Sequence, residues 1–349
     1  MSVRVPFADD TGPRIPVSII TGFLGSGKTT LLNNLLRAPE MANAAVIINE
    51  FGDVPLDQYF VDLPSDDVAV LPNGCLCCIA RDGLEEALTR LLNMPRPGRG
   101  PLARIVIETS GLADPAPIAQ LVLDTPSSAG RLMLDQVIAT VDAEHLFEQL
   151  GRHSECPKQI ALADRLVFTK ADRIDATVIA SARELTLQYN EHAEHLLGRQ
   201  GGVTSALPMA ARAVDGGHSL CGERGSRRPR GSGAVHGGCD HSARITAVSI
   251  VDDEPVEWAA FSRWFRNLRR LNGESLLRVK GVLSVAGEPS PVAIDAIHHI
   301  AYPPRRLPAS AELAGTSRLV FITQGIPGEE IQAAWAKFRS ENRREIETA

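Results

Sequence analysis

The sequence predicts an α/β fold, a mainly parallel sheet with helices on both faces, followed by a smaller α+β domain. Three observations carry this expectation. Between residues 17 and 205, short β-branched runs (VSIIT, AAVIIN, RIVIET, QVIATVD, RLVFTK) alternate with amphipathic stretches, the form of a parallel sheet covered on both sides. The pattern then fails, and Arg212 to Gly238 is rich in Gly, Arg and Ser with few apolar residues, the composition of a flexible linker. A chain of 349 residues also exceeds what one hydrophobic core usually organises. The expected division is a tail at 1–14, a first domain at 15–205, a linker at 206–241 and a C-terminal domain at 242–349.

In the second domain, RITAVSIV reads as a strand from Arg244. Pro255 then suits the first turn of a helix in which Trp258, Phe261, Phe265 and Leu268 share a face. LLRVKGVLSVAG, PVAIDAIHHIAY and SRLVFITQG read as strands, and PGEEIQAAWAKF as a last helix. No internal repeat is evident.

A formal charge of −6 leaves no broad basic surface, which argues against nucleic acid or an anionic membrane as the main partner. MSVRVPFADDTGPR lacks the apolar core of a secretion signal, and no apolar run is long enough to span a bilayer. The expectation is a cytoplasmic protein. Among six cysteines, Cys75, Cys77 and Cys78 stand too close together for a conventional stapling pattern. In a reducing compartment such a cluster means metal or redox chemistry.

GFLGSGKTT sits between the strand VSIIT and the helical pattern LLNNLL, the context that a phosphate-binding P-loop requires. Gly22, Gly25 and Gly27 permit the tight path that aims backbone N–H groups at phosphate oxygens, with Ser26 and Thr30 completing the loop and helix start. Lys28 supplies charge at the β and γ phosphates, Thr29 offers its hydroxyl to Mg2+, and the helix presents its N-terminus to the anion. A P-loop also needs an acidic group at the end of another strand; RIVIETSG provides Glu108, followed by Gly111 with a backbone N–H for the γ-phosphate. The catalytic set expected is therefore Lys28, Thr29 and Glu108.

The strand RLVF ends in TKAD, the form of a guanine-specificity loop. Asp172 can accept two hydrogen bonds from the guanine N1–H and N2 amine, Lys170 can lie along the base, and Thr169 stands where Asn is commoner in GTPases. A site built to pair a polar edge rejects a wrong partner by up to about 10⁴-fold, because mispairing leaves the carboxylate unsatisfied. Between the P-loop and Glu108 lies LPNGCLCC. In an extended chain Cys75 and Cys77 project to one side and Cys78 joins them at a bend, so one short loop could grip a soft metal ion.

GCLCC between GFLGSGKTTLLNNLL and TKAD resembles the CobW family within the SIMIBI class of P-loop GTPases. IINEFGDVPLD resembles its first switch region, ETSGLADPAPIAQ its Walker B and second switch, and the segment from SLLRVKGVLSVAGEP to SRLVFITQG its C-terminal domain. The resemblance covers residues 15–205 and 242–340. It implies a GTPase cycle that loads or releases Zn2+ or Co2+ at a client metalloprotein or a metal-requiring biosynthetic enzyme, cobalamin synthesis included, with a homodimer as one arrangement. By motif it carries nucleotide binding to Gly25, Gly27, Lys28, Thr29 and Asp172, and metal binding to Cys75, Cys77 and Cys78. Asn49, Glu50 and Asp53 fall in the switch segment. Ile48 stands where some relatives carry a metal-binding Glu. The family's interdomain His-rich tract is reduced here to His218, Cys221, His236, Cys239 and His241, read as an unliganded linker in preference to an auxiliary site.

Two rival readings leave features unexplained. A small-molecule kinase accounts for neither TKAD nor GCLCC, and a passive zinc module with a vestigial nucleotide site does not need an intact Gly27-Lys28-Thr29 beside Glu108. The guanine loop generates a test: Asp172→Asn should weaken GTP and admit xanthosine triphosphate, read by competition binding. Equal wild-type affinities for ATP and GTP would sink the assignment.

Overall fold

The computed structural model describes residues 14–49, 68–71, 79–97, 100–124, 130–198, 245–308 and 315–347. The tail at 1–13, Glu50, Asp53, the three clustered cysteines, and the linker with His218, Cys221, His236, Cys239 and His241 lie outside the described residues.

Seven strands form the first sheet: β1 (Ile15–Gly22), β2 (Ala44–Asn49), β3 (Val68–Leu71), β4 (Arg104–Glu108), β5 (Leu132–Asp142), β6 (Arg165–Thr169) and β7 (Glu194–Leu197). They run in the order β3-β2-β4-β1-β5-β6-β7, with every pairing parallel. Helices α1 (Lys28–Leu36), α2 (Ile79–Asn93), α3 (Pro115–Asp124), α4 (Leu146–Arg152), α5 (Glu155–Leu162) and α6 (Ala176–Leu187) connect or cover them.

Strand alternation sends side chains to opposite faces. Val17 and Ile19, with Ile47, Ile105 and Ile107, pack on Leu84, Leu88 and Leu91 of α2 and on Ile118 and Leu121 of α3. The intervening Ile20, Val46 and Val106 close on Leu31, Leu32 and Leu35 of α1. Burial on both faces explains why these strands read as continuous apolar runs. Two strands are additions to the sequence expectation. VAVL of β3 spans only four residues, and EHLL of β7 is a half-exposed edge strand without apolar alternation.

The C-terminal sheet is antiparallel, in the order β11-β10-β9-β13-β8. Its strands are β8 (Ile245–Asp252), β9 (Leu276–Leu283), β10 (Val292–Ile297), β11 (Ile300–Ala301) and β13 (Ser317–Gln324), with the short β12 (Arg305–Arg306) beside β10. Helices α7 (Trp258–Asn272) and α8 (Gly328–Glu347) cover it, burying Phe261, Phe265, Trp335 and Phe338 against Val279 and Phe321.

Two local expectations are corrected. Pro255 lies before α7; the helix starts after Glu257, whose carboxylate accepts from Ala260 N at 2.6 Å and caps it. Val256 instead bridges Val285, so the chain is still extended at that point. PVAIDAIHHIAY is two strands, because Ile297 pairs with Ile300 and His298 turns at φ 50°.

The domains share a core. Ile245, Leu277, Ile297 and Ile322 of the second domain join the apolar cluster of the first, their strands packing on α3 and α5. Charge reinforces the contact. The Arg278 guanidinium donates to Leu162 O, to Asp164 Oδ1 at 2.9 Å and to Asp295 Oδ2 at 3.3 Å, while Lys280 Nζ also donates to Asp164. Arg278 and Lys280, two apart on β9, reach the same side. Among the described residues no helix is long and apolar enough to cross a membrane.

Asp164 is the shared acceptor of that network, and Val137 N donates to its other oxygen at 2.9 Å. Asp164→Ala should cost about 3–5 kcal/mol, since it strands buried positive charge. Urea unfolding of the full chain measures this; a loss below about 1 kcal/mol would class the pair as a surface ion pair.

Candidate nucleotide site

The path of the P-loop follows from its glycines. Gly22 has φ 136°, and a Cβ there would lie 2.2 Å from Thr140 Oγ1, so no other residue fits. Gly27 turns at φ 90° and caps α1 in a left-handed conformation. The Ser26 hydroxyl is buried, donates to Phe23 O at 2.6 Å and lies 2.6 Å from Thr140 Oγ1. Its side chain thus shapes the loop.

A cavity of about 420 Å3 opens beside Gly25, Gly27, Lys28, Thr29, Thr30 and Glu108. Lys28 Nζ donates to Gly22 O at 3.1 Å and Phe23 O at 3.2 Å, folded over the loop's own carbonyls. Thr29 Oγ1 donates to Glu108 Oε1 at 2.7 Å. Glu108 itself is 1% exposed, at the end of β4 next to β1. A hydroxyl and a carboxylate held together at a phosphate cradle are hard oxygen donors, a set that fits Mg2+. Gly111 approaches the P-loop so closely that a Cβ would lie 2.6 Å from Leu24 N, which requires glycine there.

The guanine-type loop is tied to this cradle by Thr169. Its hydroxyl donates to Ser26 O at 2.8 Å and to Val141 O at 3.2 Å, bonds that explain Thr at this position. Lys170 adopts φ 55°, and the short 3-10 turn Ala171–Arg173 presents Asp172 to solvent.

The sequence reading missed Asp142, the last residue of β5. Its carboxylate accepts from Lys170 Nζ at 2.7 Å, pairs with His145 Nδ1 at 3.0 Å and accepts Glu144 N at 3.1 Å. Burial opposes its charge, but the bonds from Lys170 and His145 outweigh burial and hold its pKa below the ordinary 3.8. The available signal was a carboxylate at the C-terminal end of a strand neighbouring β1. Asp142, Glu144 and His145 lie within 4.8 Å of one another, but Asp142 is already engaged by Lys170.

The cysteine segment starts after Leu71 of β3 and ends before Ile79 of α2; Cys75, Cys77 and Cys78 themselves lie outside the described residues. Cys156 is no substitute, because burial and then Glu155 push its thiol up to about 12. A larger hollow of about 560 Å3, beside Tyr189, Ile245 and Ile326, has no cationic side chain in its described lining.

A glycine cradle capped by Lys28 and Thr29, an acidic partner in Glu108 and a TKAD turn on the next strand but one define a P-loop GTP-binding protein. The family model for the CobW/HypB/UreG nucleotide-binding domain matches residues 16–196, and that for the cobalamin synthesis protein cobW C-terminal domain matches residues 245–339. The chain belongs to the CobW family of GTPases. It is 34% identical over 325 residues to the zinc chaperone YjiA of Escherichia coli, covering 93% of this chain and 99% of that protein. It is 28% identical over 319 residues to the zinc chaperone CobW of a Sinorhizobium species, covering 81% and 85% of the two chains. The crystal structure of Zn(II)-bound YjiA GTPase from E. coli superposes with a TM-score of 0.67 at 29% identity, over 93% of this chain and 99% of that one.

The Asp142 bracket has a pH signature. Its folded pKa is the lower one, so its stabilisation is complete above 3.8 and is lost as pH falls below that value. Asp142→Asn should therefore be less stable than the wild type at pH 7, with the gap narrowing below pH of about 4. Urea titrations at both pH values test it, and a gap independent of pH would remove the charge from the explanation.

Proposed function

We propose that this chain is a GTP-hydrolysing zinc chaperone that passes the ion to a client metalloprotein. The observation that supports this best is one of position. The phosphate cradle follows β1, the guanine turn follows β6, and the cysteine segment leaves β3 at Leu71 before entering α2 at Ile79, so all three follow strands of a single parallel sheet. β3 stands three strands from β1, roughly 14 Å at the usual strand spacing, close enough for loops at one edge to meet.

In this reading the backbone of Gly25 and Gly27 cradles the phosphates, Lys28 exchanges its loop carbonyls for β and γ oxygens, and Asp172 selects guanine. Thr29 and Glu108 hold Mg2+, which when bound neutralises charge developing on the phosphates. Lys170, fixed by Asp142, lies along the base. The described residues at the cavity include no general base for the attacking water other than Glu108, already bonded to Thr29, so intrinsic turnover is slow until a partner or the cargo completes the site. Cys75, Cys77 and Cys78 hold the ion as thiolates. Such ligands accept Co2+ as well as Zn2+, and zinc is preferred here because the similar proteins are zinc chaperones by name.

The chaperone reading requires the GTP and GDP states to hold metal differently, and linkage requires metal to alter nucleotide affinity by the same factor. Zn2+ titrations with a non-hydrolysable GTP analogue and with GDP should give affinities about 5- to 150-fold apart. Cys77→Ser with Cys78→Ser should abolish tight binding in both states while leaving metal-free GTP binding intact. Identical Zn2+ affinities in the two nucleotide states would refute the switch.

A further inference from the structure

Gln159, in the middle of α5, is 2% exposed. A primary amide that deeply buried must find acceptors for its hydrogens, because leaving them unmet costs more than the bonds return. Both acceptors lie on one loop. Nε2 donates to Gly111 O at 3.2 Å and to Ala113 O at 3.0 Å. Two carbonyls facing the same atom identify that atom as the nitrogen.

This loop follows Glu108 and leads into α3. It closes its own turn, Ala113 N donating to Ser110 O at 3.1 Å, and Asp114 accepts Ala116 N at 2.9 Å at the start of the helix. The first bond holds the Ser110–Gly111 peptide, which carries the Gly111 N–H, and leaves the next peptide, which carries the Gly111 carbonyl, to be anchored from outside the loop. Gly111 has no side chain to restrict it, yet it must sit against Leu24 of the P-loop. That outside anchor is α5, through Gln159 and through Lys158, which pairs with Asp114 at 3.7 Å.

Helix α5 is itself a fixed post. The carbonyls at its C-terminal end are taken by neighbours: the two hydrogens of Asn190 Nδ2 are shared among Ile160 O at 3.0 Å, Ala161 O at 3.1 Å and the C-cap Ala163 O at 2.8 Å, and Arg278 of the second domain donates to Leu162 O. Just before the helix, His153 packs on Phe23 of the P-loop with ring centroids 4.4 Å apart. The helix that orients the Gly111 loop is thereby registered to the phosphate loop on one side and to the second domain on the other.

We propose that Gln159 is a positioning residue for GTP hydrolysis. By holding the carbonyls of Gly111 and Ala113, it anchors the turn that Ala113 N and Ser110 O close, so that the Gly111 N–H, on the preceding peptide, stays aimed at the γ-phosphate bound over Lys28 and Thr29. A donor already aimed at developing charge needs no reorganisation when the bond breaks. The inference rests on the GTPase reading above and adds a residue to it. Its signature is selective: GDP has no γ-phosphate, so its binding does not depend on this orientation.

The test compares the full-length wild type with Gln159→Leu, of similar size but without donors, and with Gln159→Asn, which keeps the amide one methylene short. For each, kcat and KM for GTP, affinities for GDP and a non-hydrolysable GTP analogue, and the thermal midpoint are measured. The expected result is a fall in kcat on the order of tenfold, a several-fold loss of analogue affinity, and GDP affinity within about twofold of the wild type. If the leucine variant does not fold, the asparagine variant carries the same comparison. Equal losses of GDP and analogue affinity would reduce Gln159 to a structural residue and overturn the proposal, as would an unchanged kcat and analogue-to-GDP ratio. A wild type that fails to hydrolyse GTP at all would instead overturn the GTPase reading.

Discussion

Every strand of an all-parallel sheet leaves by the same edge, and the architecture of this site is a consequence of that direction. β1 runs into the phosphate loop, β4 ends on Glu108, β5 on Asp142 and β6 on the turn that carries Lys170 and Asp172. β1 lies between β4 and β5, so the chain fans out to either side of it, and a crevice forms where the two halves diverge. Residues more than a hundred positions apart become hydrogen-bond neighbours there without any long loop. Thr169 reaching Ser26 O is the clearest case. The direction is itself maintained by burial on both faces, since parallel strands of this kind are stable only when covered by helices.

Two side chains of the site bond within the protein. Lys28 rests on the carbonyls of Gly22 and Phe23, and Thr29 on Glu108. Binding is therefore an exchange of partners, and its net free energy is the difference between two sets of charge-assisted bonds.

What could be read from the residues is what local geometry dictates. The glycines at 22, 25 and 27 declare a backbone path with positive φ, the thiol spacing declares a chemistry, and the apolar runs declare buried strands. Asp142 and Gln159 escaped because their meaning depends on neighbours distant in sequence. Asp142 looked like the end of a β run, and Gln159 is an ordinary helix residue until the carbonyls of Gly111 and Ala113 are brought to it. Pro255 misled for a related reason: proline suits a first helical turn, but here Val256 is engaged by Val285 and the helix waits for the Glu257 cap. The strand β7 has no apolar alternation because it is an edge, and the break in PVAIDAIHHIAY rests on a histidine in a conformation that composition does not advertise.

The second domain is half of a wall. Ile245, Leu277, Ile297 and Ile322 complete the apolar surface over α3 and α5, and Arg278 is sealed beneath it on Asp164. Covalent continuity between residues 198 and 245 therefore contributes little to keeping the halves together. A chain nicked by a protease in that interval should still migrate as a single particle, and the first domain expressed alone would present a greasy, charge-mismatched flank to solvent. Any surface by which a recipient protein is recognised on the second domain is, through that wall, rigidly indexed to the helix that follows Gly111.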